Sequence, residues 1–441
     1  MQAARPTHLS PQSPVHVIRG VHRPVVERHA VDCAFLWVLR DQAVKAPHYR
    51  MRNLLSLDRR IEANREGLVH AGDAGWAACL AELAQDEEDA GATFAAALVA
   101  FSTRRADHMR HICQLAVATP GGQRALISAL GWLPFEPIAP ILQRLAAGSE
   151  PRLRRVALRV LAIHRRDPFD ALKQALTTDD PDLLEAAVRG LGESGRQDAL
   201  PLLRARLDDA AAPVRATTAA SLLMLGDADG LPWLEQEVME AGPAATPALA
   251  LVLRSVSPAE GRQLLSRLSG RPGSERMVIA GTGMLGDPLA IPWLISRMQD
   301  PPLARLAGEA FSMITGADLE YLDLDLDLSR NADAQVPEGE RENEHEEPDD
   351  DVPPQDRHLP LPDPAGVQAW WAQHEASMAK GIRHLCGRPV TPASLLEILR
   401  TGYQRQRRAA ALQWALMDPD RPFFDVRQRS DAQQRALQSC N

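Results

Sequence analysis

Metal ligation is the first chemistry that the 441-residue sequence invites, at "DHMRHIC" (residues 107–113). His108 and His111 lie three apart, on one face of a helix, with Cys113 close behind, and a zinc site needs such ligands to converge. Cys113, two residues beyond His111, points to another side of a helix, so the stretch predicts polar helix surface rather than a metal site. "LDLDLDL" (322–328) places Asp323, Asp325 and Asp327 as a calcium loop would, but Leu328 stands where the loop needs Gly and Ala334 where it needs Glu. An alternating, strand-like edge is the expectation there. "GTGMLG" (281–286) falls inside a helical pattern and not after a strand, so its glycines predict close helix packing instead of a dinucleotide loop. GxSxG, HExxH and P-loop patterns are absent, and no pair of carboxylates stands out as acid and base. These residues predict neither catalysis, nor a cofactor, nor a bound metal.

The elements that would position any site are helical. Apolar residues make up 45% of the chain but aromatics only 4%, with Ala and Leu dominant, a composition suited to closely packed helices. A formal net charge of −9 gives no global field to attract phosphate backbones or anionic lipid, which argues against general nucleic-acid binding. Cys33, Cys79, Cys113, Cys386 and Cys440 lie far apart with no CxxC spacing, and predict reduced thiols in a cytoplasmic protein. The first 20 residues lack an apolar signal-peptide core, and no apolar run is long enough to span a membrane.

A repeat organises the middle of the chain. Turn positions at Gly131, Ala162, Gly192, Gly226, Ser257, Gly286 and Gly316 are spaced by 31, 30, 34, 31, 29 and 30 residues. Glycine closes a helix in the left-handed conformation without Cβ strain, and the Asp that follows in "LGD" (225–227 and 285–287) can cap what comes next. Pro140, Pro201, Pro232 and Pro292 are expected to start second helices, while Pro151, Pro181, Pro213 and Pro301 start first helices. Helices of about 12 residues are marginal alone, so each hairpin must stack on its neighbours.

The fold predicted is all-α: an α-solenoid of short helical hairpins. Residues 1–24 read as an N-terminal tail, 25–120 as divergent N-terminal repeats that cap the array, and 121–328 as the array. An acidic, Pro-containing linker follows at 329–363, with disorder expected over 329–357, and then a helical C-terminal module at 364–441 that is expected to dock on the last repeat as its cap. Trp233 and Trp293, at equivalent places, predict packing at the start of second helices. Arg154, Arg215 and Arg305 recur near the start of first helices and predict a ladder with turn carboxylates. "YQRQRRAAA" (403–411), with Arg405, Arg407 and Arg408, predicts a solvated basic face open to an acidic partner or to the acidic stretch at 338–351.

The period of about 30, with "AAVRGLG" (186–192) and "GDPLAIPWL" (286–294) as its best examples, resembles the HEAT-like repeats named after phycobilisome lyases. Flanking stretches such as "LPLPDPAGVQAWWAQH" (359–374) and "GRPVTPASLLEILRTG" (387–402) resemble an uncharacterised bacterial family of such proteins, some encoded near type VI secretion genes. The resemblance implies a solenoid scaffold or adaptor, with an accessory role at a secretion locus as the narrower implication. A bilin-lyase-like enzyme and a DNA-binding HEAT-like protein of the alkylation-repair kind are the alternatives. The scaffold reading expects another protein along a concave face lined by second helices, where Arg204, Glu237 and Arg297 would make contact.

Overall fold

The computed structural model describes residues 21–166, 168–207, 212–326 and 352–440. They form 22 α-helices and a single hairpin of two-residue strands, His384–Leu385 and Arg388–Pro389, so the fold is the all-α solenoid expected. Proline and small polar caps set many helix starts: Asp180 accepts from the Leu183 amide, Ser257 from Glu260, and Thr391 from Ser394. Gly226, Gly286 and Gly316 adopt φ of +80°, +76° and +74° as helix-closing residues should.

Three turn assignments and one helix start shift: Gly131 and Ala162 lie inside the helices Pro120–Trp132 and Pro151–Ile163. Gly192 lies inside the helix Pro181–Glu193, and Gly195, with φ +70°, takes the left-handed position. A Cβ on Gly192 would sit 2.6 Å from the Ser221 side chain, so this glycine serves the approach of neighbouring first helices. Pro140 does not start a helix either; it lies within Phe135–Ala146, whose first turn already holds Pro137. Short 3-10 turns, Gln197–Ala199, Ala228–Gly230 and Pro288–Ala290, precede the second helices that carry Pro201, Pro232 and Pro292.

First helices stack directly on one another from Arg23–Ala43 and Ala90–Thr103 through Pro120–Trp132, Pro151–Ile163, Pro181–Glu193, Ala212–Met224, Ala245–Ser255 and Glu275–Leu285 to Pro301–Thr315. Second helices, such as Leu200–Leu207, Leu231–Met239 and Ile291–Arg297, each wedge against the first helix that follows, and up to Ile291–Arg297 they do not pack closely on one another. In a curved stack the closely spaced layer is the inner one. The second helices therefore form the outer layer, the reverse of the sequence-based expectation.

The C-terminal boundary also moves. Helix Pro364–His374 packs on Ile291–Arg297 and puts Val367 and Trp371 into one apolar cluster with Phe311 and Ile314, so it completes the last repeat. Residues 352–363 are packed rather than a free linker: Asp356 is buried and paired to Arg276, and Leu359 is buried with its carbonyl on Arg305. The rest of the acidic stretch, 327–351, and the expected tail at 1–20 lie outside the described residues.

Beyond it, residues 378–440 do not sit on the end of the array but run back along it. Residues 383–387 bridge the C-terminal ends of three first helices, and from Gln413, on the Arg254 carbonyl, the segment passes such ends in reverse order, where the last carbonyls of each helix lack intrahelical partners. Gly387 and Cys386 amides donate to Ile314 and Met313 (2.8 Å each), His384 to Gly286 (2.7 Å), and Arg383 to the carbonyls of Leu253, Arg254, Val256 and Leu285. Farther along, the Phe423 amide donates to Glu193 (2.9 Å), the Gln428 side chain to Ile163 and Arg429 to Trp132 (3.0 Å). This strap ends on the N-terminal helices, where buried Arg40 donates to the carbonyls of Arg427 and Gln428, and buried Asp58 pairs with Arg40 (2.5 Å) and accepts from the Ser430 amide (2.7 Å). Tyr403 joins the two ends of the array: its hydroxyl donates to Asp318 (2.7 Å), and Arg50 lies over its ring and pairs with the same carboxylate at 3.8 Å.

Candidate functional site

The inner layer and the strap enclose a cleft of about 350 Å³. Seven arginines line it, Arg40, Arg124, Arg155, Arg159, Arg189, Arg427 and Arg429, against three acids, Asp41, Glu185 and Asp425. Arg124, Arg155, Arg159 and Arg189 come from three successive first helices, and Arg427 and Arg429 from the strap. Repetition places them: Arg124 and Arg155 stand 31 residues apart and Arg159 and Arg189 stand 30 apart, one repeat in each case.

The arginines differ in how far they are tied down. Arg40 is buried and held at all three nitrogens by Asp58 and two strap carbonyls, and Arg159 is paired with Glu193 at 2.9 Å, whose charge favours the protonated guanidinium. Arg429 lies over Trp132 and bonds its carbonyl. By contrast Arg124, Arg155, Arg189 and Arg427 keep 43%, 34%, 47% and 55% of their side chains exposed. Each uses one terminal nitrogen on a carboxylate: Arg124 on Asp41, Arg155 on Asp182 (3.2 Å), Arg189 on Glu185, and Arg427 on Asp41 at 3.8 Å. A guanidinium carries five N–H donors, so each retains donors for another acceptor. Asp41 serves Lys45, Arg124 and Arg427 together; burial works to raise its carboxyl, but hydrogen bonds and charge from Lys45 and Arg124 hold it below the usual carboxylate range.

Aromatic rings form the floor. Trp37 stacks on Phe94 at 5.2 Å and is covered by Arg124, while Trp132, its indole N–H on Glu62 (2.9 Å), is covered by Arg40 and Arg429. A second hollow of about 170 Å³ shares Arg159, Ile163, Asp425 and Gln428 with the cleft and adds Ala162, Pro168, Pro422 and Phe423.

The residues singled out from sequence lie elsewhere. His108 is buried with its ring stacked on Trp76 at 4.1 Å, His111 meets the same indole edge-on, and Cys113 is buried, its thiol pushed up to about 11 by that burial. Among the described residues no three His, Cys, Asp or Glu are grouped to hold a metal. Asp325 forms an antiparallel bridge with Pro362, and the Leu326 amide donates to Leu361, as a strand-like edge would; Asp327 lies outside the described residues. The glycines of "GTGMLG" do allow close packing, since a Cβ on Gly283 would lie 2.9 Å from the Ala310 Cα.

Trp233 is half-buried under Arg215, but Trp293 is exposed, so equal place does not mean equal packing. Arg305 bonds the Leu359 carbonyl rather than a turn carboxylate, and Arg215 lies over the Trp233 indole. Of the basic residues in "YQRQRR", Arg408 is exposed as expected, but Arg405 and Arg407 are not. Arg407 is fully buried on Leu399, Gln404 and Gln433, and Arg405 bonds Lys45 and pairs with Glu309 at 3.6 Å.

Arg204, Glu237 and Arg297 are on outer helices, one on each of three units, and are not brought together. Arg204 pairs with Asp227 at 2.6 Å; Glu237 accepts from the Ala244 amide at 2.8 Å; Arg297 touches the Ser296 hydroxyl at 3.4 Å. In the sequence each cleft arginine looks like an ordinary solvated charge. Their recurrence at the repeat period was the available signal.

A family model described as HEAT repeats matches residues 138–224 and 169–250, the stretch that supplies Arg155, Arg159 and Arg189. No curated protein matches the chain significantly. Residues 138–250 are therefore similar to HEAT repeats, which commonly serve as protein-interaction scaffolds. Among the described residues no helix is long and apolar enough to cross a membrane.

Proposed function

We propose that the protein is a non-enzymatic scaffold or adaptor of the cytoplasm that holds a partner protein in the arginine-lined cleft. The observation that carries this reading is the convergence of Arg124, Arg155 and Arg189 from three successive repeats, with Arg427 from the strap, on one opening. Solenoids bind by presenting such repeated side chains on a continuous inner surface. An accessory role at a type VI secretion locus is the narrower form of the proposal and rests on the resemblance alone.

Affinity capture from the native host with the full chain tests it. A specific protein should be recovered by the wild type and by Arg204→Glu/Glu237→Lys/Arg297→Glu, and lost with Arg155→Glu/Arg189→Glu. Loss in the outer-helix variant instead would move the binding surface to the second helices. Turnover of a bilin or another small substrate by the pure protein, or tight salt-sensitive binding of duplex DNA, would replace the scaffold reading with one of its rivals.

A further inference from the structure

We infer that the segment held in the cleft is an acidic stretch of the partner protein that also carries a bulky apolar residue. This rests on the scaffold reading and specifies its partner. Guanidinium groups match carboxylates in geometry and bind them through paired N–H donors, and Arg124, Arg155, Arg189 and Arg427 are the cleft arginines with donors and exposed surface to spare. Charge is unevenly shared there: the single Asp41 carboxylate faces Arg124, Arg427 and Lys45. An incoming carboxylate would relieve the mutual repulsion of these cations.

The lining also discriminates between kinds of anion. Single-stranded nucleic acid is held by aromatic faces on which bases stack. The two indoles that line this cleft already carry Arg124, Arg40 and Arg429 on their rings, so no open platform is offered to a base. A peptide needs none. The adjoining hollow, with Ile163, Pro168, Pro422 and Phe423 in its wall and four residues shared with the cleft, gives an apolar side chain next to the carboxylates a place to be buried. Acidic-motif recognition by arginine clusters is a recurrent mode, and the apolar hollow would add the selectivity that charge alone lacks.

The test is fluorescence anisotropy of a short labelled peptide of alternating Glu and Asp around one central Phe, titrated with the full chain. Binding should saturate, weaken with added salt, weaken by about tenfold or more in Arg124→Gln/Arg155→Gln/Arg189→Gln, and weaken when the central Phe is replaced by Ala. Thermal melting checks that the triple variant folds. Arg427→Gln, outside every helix, is a second variant that leaves the carboxylate pairs of Arg124, Arg155 and Arg189 in place and should also weaken binding. Equal binding of a Lys-rich peptide, tighter binding of a single-stranded oligonucleotide, or unchanged affinity in both variants overturns the inference. If a partner is captured from the host through the cleft while the acidic peptide does not bind, the acidic-segment inference falls and the scaffold reading stands. If neither binds, both fall.

Discussion

The repeat array and the strap are built on opposite principles. In the array, a hairpin finds its partners about 30 residues away, so one turn glycine and one proline, repeated, define the architecture. Across the strap contacts, Arg40 bonds a carbonyl 388 residues away, Arg383 one 130 residues away and Gln428 one 265 residues away, and these separations follow no period. The difference teaches that a periodic solenoid can be closed by an aperiodic segment which uses what the period leaves over, namely the free carbonyls at the ends of first helices.

The largest effect should come from cutting the strap where it meets the N-terminal helices. Asp58→Ala leaves the buried Arg40 guanidinium without its carboxylate and the Ser430 amide without its acceptor. Breaking a buried pair from one side costs about 3–5 kcal/mol. Urea denaturation should show that loss, with faster proteolysis between residues 418 and 430. Wild-type stability with an unprotected strap would mean that the array stands without its closure and that the strap adds nothing to it.

Next in size is a pair of glycines that separates the two principles at one backbone conformation. Gly273 and Gly286 have φ of +74° and +76°, but a Cβ on Gly273 would meet nothing within 4 Å, whereas on Gly286 it would lie 2.3 Å from the His384 carbonyl. Gly273→Ala should cost only the left-handed strain, about 1 kcal/mol; Gly286→Ala should cost about 3 kcal/mol, because the strap backbone must also move. Equal melting temperatures for the two variants would show that the strap exerts no pressure on the turn.

These glycines show how much could be read in advance. "LGD" announces a helix end because the left-handed residue is a local requirement, and Gly226, Gly286 and Gly316 meet it. The second role of the same residues, as the seat of the strap, leaves no local mark: Gly195, Gly226, Gly286 and Gly316 face Asp420, Pro419, His384 and Cys386, residues about 70 to 225 positions away. Trp370 and Trp371 were legible as a helix after the Asp363 cap, but not as the end of the last repeat, since a long acidic insertion separates them from Phe311. The cleft was half legible. Its arginines recur with the period, but which layer of a hairpin faces inward depends on spacing between helices, and that is a tertiary quantity.

The smallest effects belong to the outer layer, and here two residues predicted to act alike should part. Glu237 reaches forward to the Ala244 amide and covers Gly242, holding a loop in which Ala241 has φ +53°. Glu237→Ala leaves that amide unpaired and the strained loop unsupported, for a cost of about 1 kcal/mol, and Glu237→Gln, which keeps an oxygen acceptor, should recover most of it. Among the described residues the Arg297 guanidinium makes its hydrogen bond to the neighbouring Ser296 hydroxyl at 3.4 Å, so Arg297→Glu should stay within about 0.5 kcal/mol of wild type. Both variants should leave the strap as resistant to proteolysis as in the wild type, because every contact they alter lies within one hairpin and its next turn. Exposure of the strap by either change would show that the outer helices transmit strain to the closure, and the local character assigned to the array would not hold.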